Sequence, residues 1–488
     1  MYLSFNDCIS HGLNYMNKFI YALGRKNMMS EKVDRRTWLK IAAGTVAGLA
    51  VGGVAGYLGA PSKPVEKTVE KTITKTMTSI RTPEKEKVTV TLNWWAGPES
   101  DAVTPIVEWW NENMEPENNI HVELVLFGRA EHFDKVANLL ISKSPEPDIV
   151  FMSYTVGRVY EHLEPLDKWF GSPKYPYALE HYVPAALDSF RVNGTLYGIP
   201  TDMNTSILMY RTDIIPEPPK TLEEMVEVAR KWTKKYNPDS PTEYGFAIQG
   251  KNIWFNSYFW IDLYVNQGGP PLTPGNEIEF AKSLDSDIAK RTLEIYVKIL
   301  EDGLSPPDCV DYEYAETNQA LASGKVAMAL QWQCALGELR NKENAPLIYD
   351  KIGGCLPPGR KLPDGTIYRK SEVHVHGPGI NKYSKHKEAA FKVFAFLTTF
   401  RFSRDYIMNG AFTGSQAILF NEQIRKVRTD IPDLAPVYMN SWPMTTHPDL
   451  IAIHDIITRN INSALTKLKS VDKALSDAKK ELLELLKA

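Results

Sequence analysis

The sequence predicts an α/β fold of the doubly wound kind, and three observations carry that reading. From residue 88 onward, short alternating or apolar runs interleave with runs of helical period. The third of the short runs, Asp148–Met152, is apolar from Ile149 on, as a parallel strand covered on both faces should be. The chain, at 488 residues, is too long for one core. The elements then follow in order. Val88–Trp95 alternates like a strand and ends at Ala96-Gly97-Pro98. Val103–Asn113 reads as a helix containing Trp109 and Trp110. His121–Phe127 alternates again. Glu131–Ile141 places Phe133, Val136, Leu139 and Leu140 at helical spacing. In such sheets ligands bind beyond the carboxyl ends of the strands, here Trp94–Glu99, Gly128-Arg129 and Ser153–Gly157.

Composition narrows the function. Hydrophobic residues make up 43% and charged residues 24%, ordinary for a globular protein. The net charge of -3 hides a basic head: residues 1–87 carry 14 Lys/Arg against 7 Asp/Glu, and the remainder 42 against 52. An acidic body argues against nucleic acid as the partner, because phosphate binding needs a basic face. The four cysteines, Cys8, Cys309, Cys334 and Cys355, form no CxxC pair, which speaks against a zinc or redox motif. One disulfide among the last three and buried free thiols both stay open.

The head reads as an export device. Arg35-Arg36-Thr37-Trp38-Leu39-Lys40 precedes an uncharged, glycine-diluted segment, Ile41–Ala60, and resembles a twin-arginine signal. Twenty helical residues span ~30 Å, so an uncleaved anchor is an alternative to cleavage near Leu58-Gly59-Ala60. No cysteine ends the segment, so a lipid anchor is not expected there. Met28 and Met29 stand at a normal distance before the arginine pair and are candidate starts. Residues 61–87 repeat Val-Glu-Lys-Thr at 65–68 and 69–72 and read as a solvated linker.

Seven segments then resemble the family 1 extracellular solute-binding proteins of ABC importers. They are Pro147–Phe151, Leu163–Asp167, Gly194–Pro200 continuing to Asp213, Pro219–Met225, Ala322–Met328, Ser384–Thr399 and Val471–Leu475, in family order. The resemblance implies a two-lobed periplasmic-binding-protein type II fold with hinge strands and a ligand cleft between the lobes. One lobe would hold roughly 88–202 and 331–400, the other 203–330 and 401–488. Hinge candidates are Pro200–Asn204 and Ala329–Gln331. The resemblance also implies a monomer that delivers a solute to a membrane permease. The third-strand loop departs from maltose-binding protein, having Met152 and Thr155-Val156 where that protein has Trp and Asp-Arg, so maltodextrin specificity does not carry over.

No GxSxG, HExxH or phosphate-type loop occurs, and neither catalysis nor a cofactor is expected. His374-Val375-His376 places two imidazoles on one face of a strand, but zinc needs a third ligand that is not evident. The chain has 11 Trp and 23 Tyr, and flat rings suit the C–H faces of sugars. Trp94 and Trp95 end the first strand. Trp332 follows the return strand, Trp254 and Tyr258 cluster in the second lobe, and Trp442 stands in a late loop. Polar candidates are Glu99, Asp202, Asn204, Gln331 and Gln333, with Gly414 and Ser415 in a further loop. Trp109, Trp110, Trp169 and Trp232 read as helix residues, core or surface. A sugar or oligosaccharide is the expected solute; a peptide, polyamine or metal chelate on the same fold, a secreted carbohydrate-active enzyme and a surface adhesion protein are the alternatives.

Overall fold

A computed structural model describes residues 87–128, 131–153, 155–170 and 179–487. The export segment Ile41–Ala60, the candidate starts and the linker up to residue 86 lie outside the described residues. Among the described residues no helix is long and apolar enough to cross a membrane.

The chain order is β1 (Val88–Trp95), α1 (Pro98–Asn113), β2 (Ile120–Phe127), α2 (His132–Ile141), β3 (Ile149–Met152), β4 (Asp202–Arg211), α3 (Leu222–Lys231), β5 (Tyr244–Ala247), α4 (Ser257–Asn266), α5 (Asp287–Glu301), α6 (Tyr314–Ala322), β6 (Val326–Trp332), β7 (Ile352–Cys355), β8 (Ser371–Ile380), α7 (Lys387–Leu397), α8 (Phe400–Met408), α9 (Ile431–Met439), β9 (Ser441–Pro443), α10 (Leu450–Leu465) and α11 (Val471–Leu485). The predicted first five elements recur with shifted ends. Helix α1 begins five residues before Val103, because Pro98 fits the first helical position and Glu99 and Asp101 suit the positive end of the helix dipole. Helix α3 starts on a reciprocal Thr221–Glu224 capping box.

One mixed sheet runs through the body in the order β2-β1-β3-β8-β4-β6-β5. The first half is parallel, β2-β1-β3, with α1 and α2 filling its faces. The second half is built on the far part of β4, which has β6 on one edge and β7 on the other. Strands β3 and β6 are buried along their whole length, and so is α4, which is why neither period nor amphipathicity marks them clearly.

Two long strands carry the chain between the halves. Asp202–Thr205 of β4 pairs antiparallel with Val373–His376 of β8, and Gly377–Ile380 of β8 continues beside β3. Strand β9 runs parallel to Ser371–Val373. This pairing moves two expected boundaries. Ala329–Gln331 is not at the crossing: it pairs with Ile207–Met209 inside the second half. The chain stays there through β7 and returns only within β8, so residues 331–370 do not join the first half. Residues 400–409 in turn belong with the first half: Asn409 Nδ2 donates to the Ala102 carbonyl at 2.9 Å, and Tyr406 meets the edge of Trp94. The first error has a physical cause: a fully buried return strand such as β6 looks like a crossing strand in sequence.

Lys85–Ala488 forms a compact unit by itself. Removing residues 1–84 is therefore expected to leave one cooperative melting transition. Circular dichroism on heating checks this; a broad, non-cooperative melt would contradict it.

Candidate functional site

Residues directly opposite in an antiparallel pair share a face. The register sets His376 against Asp202 and His374 against Asn204, and alternation adds Ser206 and Glu372 to the same side. Met203, Thr205, Val373 and Val375 take the other side. The crossing thus has one largely apolar face relieved by Thr205 and Ser371, and one face lined by polar side chains.

Aromatic rings flank the polar face at both ends. From the first half, the Trp95 ring lies 4.7 Å from His376. From the second half, Tyr258 and Trp332 meet His374 edge-on, with ring centres 4.0 and 4.8 Å away. Trp442 of β9 donates from Nε1 to Glu372 Oε2 at 3.3 Å.

Electrostatics keep most of this face neutral. Burial pushes the Asp202 carboxyl up; His376, with Nδ1 at 3.6 Å, opposes the shift. Tyr406 donates to Asp202 Oδ2 at 3.3 Å. Burial, then the charges of His454 and His376, holds the His374 pKa well below the imidazole range. Its Nε2 has no hydrogen-bond partner among the described residues. A neutral imidazole with a free nitrogen can serve a hydroxyl as acceptor or donor. Asn204 is only half-buried; its Nδ2 reaches Cys334 Sγ at 3.8 Å, and its Oδ1 accepts from the Thr205 amide at 3.0 Å. The Cys334 thiol, pushed up to about 11 by burial, stays protonated and is no nucleophile. Glu99, in the first turn of α1, is close enough for its charge to be felt at Asp202, Tyr406 and Cys334.

The structure sorts the sequence-derived candidates. Asp202, Asn204, Trp95, Tyr258, Trp332 and Trp442 gather at the crossing, and Glu99 borders it. Trp254 stands further out, edge-on to Tyr258 at 6.2 Å. Trp94 is interior, stacked on Phe151 at 3.9 Å with no exposed surface. Gln331 is also committed to the core: Nε2 donates to Tyr314 O and Asn318 Oδ1, while Oε1 accepts from Gln249 and the Trp332 amide. Gln333 donates to the Met203 carbonyl. Gly414 backs onto Pro200 and Met203, and Ser415 is buried. Of the four tryptophans assigned to helices, Trp110 is core, bonded to the Ile120 carbonyl, while Trp169 lies in a turn on Phe391 and Trp232 caps α3. Cys309, Cys334 and Cys355 are free thiols.

In sequence His374 and His376 read as structural or ligand-facing residues, with a metal site the lesser alternative. No group of three or more His, Cys, Asp or Glu among the described residues could hold a metal. Sequence reasoning missed Glu372 and Tyr406 altogether. The alternation Glu-Val-His-Val-His at 372–376 was the available signal for the first. Tyr406 had none, since only the fold brings α8 to β4. A cavity of about 730 Å³ also opens between Asn193-Gly194 and Thr273–Gly275, with Tyr160, Glu277 and His447 on its walls. Of the strand ends expected to meet ligand only Gly157 lines it, and none of the aromatic or polar candidates does.

A sheet crossing that joins two α/β halves and presents a polar face edged with aromatic rings defines a two-lobed solute-binding protein. The model for bacterial extracellular solute-binding proteins matches residues 96–399, and the chain belongs to that family. A probable amino-acid ABC transporter periplasmic-binding protein of Sinorhizobium fredii is 26% identical over 310 residues, 62% of this chain and 67% of that protein. The mannitol-binding protein of Pseudomonas aeruginosa is 26% identical over 328 residues, 62% of this chain and 72% of its own length. Among solved structures, maltose-bound MalE3 of T. maritima superposes with a TM-score of 0.66 at 22% identity, covering 82% of this chain and 100% of that one. The similarity at that identity is one of fold.

Burial separates two substitutions. Trp332 is 8% exposed and packs on Tyr258, Phe259 and His374. Trp332→Ala is expected to cost ~3–5 kcal/mol of stability, as for a core ring. Asn204→Ala removes one long contact to sulfur and one local bond, and should cost ~1 kcal/mol or less. Denaturant unfolding of both variants checks the contrast; equal losses would contradict the placement of these side chains.

Proposed function

We propose that this protein captures a sugar or sugar alcohol between its lobes and hands it to a membrane ABC permease. The observation that carries the reading is the polar crossing face: Asn204 and His374, an amide and a neutral imidazole, edged by Trp332, Tyr258 and Trp95. Sugars offer apolar C–H faces to such rings and hydroxyls to such polar groups. The mannitol-binding relative and the maltose-bound structural neighbour support it. The proposed contacts are Asn204, His374, Trp95, Tyr258, Trp332 and Trp442, with Glu99, Asp202 and Trp254 at the margin. The amino-acid label on the first relative favours one competing reading, an amino-acid solute.

Binding without catalysis fits the chemistry at hand. The serine–histidine pair Ser257 Oγ–His454 Nδ1, at 2.8 Å, lies in the interior, and burial lowers His454 to about 3. Such an imidazole is a poor general base near neutrality. Export through the Arg35-Arg36 signal, with Ile41–Ala60 as cleaved signal or anchor, and a monomeric body complete the proposal.

A thermal-shift panel of maltose, mannitol, other mono- and disaccharides and the common amino acids tests it. A solute at 100 times its dissociation constant adds ~2.7 kcal/mol, which is readily seen. Sugars or sugar alcohols alone should shift the melt, and Asn204→Ala should weaken that shift. Stabilisation by amino acids alone would overturn the reading.

A further inference from the structure

Glu338 stands at the surface on the short helix Cys334–Leu339, and two chains of hydrogen bonds end on it. One chain starts at the polar face. Asn204 Nδ2 donates to Cys334 Sγ at 3.8 Å, the Cys334 thiol donates to Tyr314 Oη at 3.5 Å, and Tyr314 Oη donates to Glu338 Oε1 at 2.6 Å. The other starts at the backbone of Trp332. Its amide donates to Gln331 Oε1 at 2.8 Å, Gln331 Nε2 donates to Asn318 Oδ1 at 2.7 Å, and Asn318 Nδ2 donates to Glu338 Oε2 at 3.0 Å. Tyr314 and Asn318 are four residues apart on α6, so they share a face and meet the two oxygens of one carboxylate. Among the described residues no lysine, arginine or histidine pairs with Glu338.

Every donor in both chains points toward the carboxylate. An ionised carboxylate accepts and never donates, so it settles the direction of each bond behind it. Tyr314 must donate to it, which turns the hydroxyl lone pairs to the Cys334 thiol. The thiol proton is then spent on Tyr314, and the sulfur is left to accept from Asn204. Asn318 must offer Nδ2, which turns its Oδ1 to Gln331, and Gln331 keeps its own Oε1 for the Trp332 amide. The contacts to sulfur are long and individually weak, but bonds in series polarise one another. For Asn204 the result is a single orientation, with Nδ2 toward Cys334 and Oδ1 on the Thr205 amide. One N–H and one lone pair of its amide remain for a solute. Reversed, the amide would set its NH2 group against the Thr205 N–H, donor against donor.

We propose that Glu338 is a positioning residue of the solute site. Through Tyr314 and Cys334 it fixes which way the Asn204 amide faces, and through Asn318 and Gln331 it fixes the backbone that carries Trp332. This rests on the reading of Asn204 and Trp332 as solute contacts. Glu338 touches no solute itself, and as an exposed side chain it adds little to stability. The arrangement suits a hydroxyl, which gives its proton to Asn204 Oδ1 and accepts one from Nδ2. The carboxylate of an amino acid only accepts, and would use one of the two.

Two sets of measurements on the full chain test this, the first without solute. The infrared S–H band of Cys334, assigned by its loss in Cys334→Ala, should lie at the lowered frequency of a bonded thiol. Tyr314→Phe should move it up to that of a free thiol, and Glu338→Ala should move it part of the way. The side-chain amide NMR signals of Asn204, assigned by their loss in Asn204→Ala, should shift or broaden in Glu338→Ala. The second set uses mannitol and maltose as probes. Glu338→Ala should lower affinity by roughly 3- to 10-fold, the contribution of about one hydrogen bond. Cys334→Ser, whose hydroxyl keeps the chain intact, should stay within about twofold of the parent. Added to Asn204→Ala, Glu338→Ala should cost less than it does alone, because the two act through one chain. An S–H band that neither Tyr314→Phe nor Glu338→Ala moves would overturn the proposal. So would a Glu338→Ala protein that binds as tightly as the parent, or a loss fully additive with that of Asn204→Ala. If neither probe binds, the Asn204 signals decide: unmoved by Glu338→Ala they overturn the positioning, and moved they uphold it while the choice of solute alone fails.

Discussion

The antiparallel pairing of Asp202–Thr205 with Val373–His376 is the constraint on which the rest depends. Both strands leave it in opposite directions, each to be completed by a different half of the sheet. A backbone passing between two bodies must keep its amides and carbonyls bonded, and here each strand supplies the partner of the other. The register that satisfies the backbone also assigns the faces. Shifted by one residue, Asn204 and His374 would point at the packed side and Met203 and Val375 at the site.

The same constraint explains the side-chain chemistry at the crossing. The strands are almost wholly buried, so a permanent charge there would be costly. What is found is an amide, hydroxyls, imidazoles and carboxyls whose titration burial has shifted toward the neutral form. His374 and His454 are pushed down, Asp262 and Glu372 up. Only the Asp202–His376 pair sets potential charges against one another.

Much of the fold was legible because local signals and tertiary roles agreed. In β1 the alternation ends at a Gly-Pro break, and in α3 the Thr-Glu cap opens the helix. The seven ordered motifs pointed to the right family. The site was half legible. Asn204 and Trp332 were legible as candidates because they sit in strands with recognisable neighbours. Gln331 could not be told from a ligand contact, since a buried amide with four partners and one offered to a solute look alike in sequence. Trp94 and Trp95 differ only in parity and packing: one lies flat on Phe151, the other leans toward His376. Asp262 carried no signal in sequence, because its partners come from strands 56 to 110 positions away.

The shifted groups also oppose one another in their effect on stability. A histidine depressed by burial stabilises the fold above its ordinary pKa of about 6.5 and loses that contribution as pH falls toward its folded value, about 3 for His454. The buried acids act in the other sense, contributing most at low pH and losing their share as Asp262 passes about 7. The two sets stand within one or two side chains of each other, joined through Tyr258 and the polar face of β8. Acid therefore strains the imidazole side of the crossing and base strains the carboxyl side. The crossing is least burdened between these limits, while His374 and His454 are neutral and Asp262 and Glu372 still hold their protons. That range follows from the burial a lobe crossing requires, and it coincides with the conditions under which the polar face is best able to receive an uncharged solute.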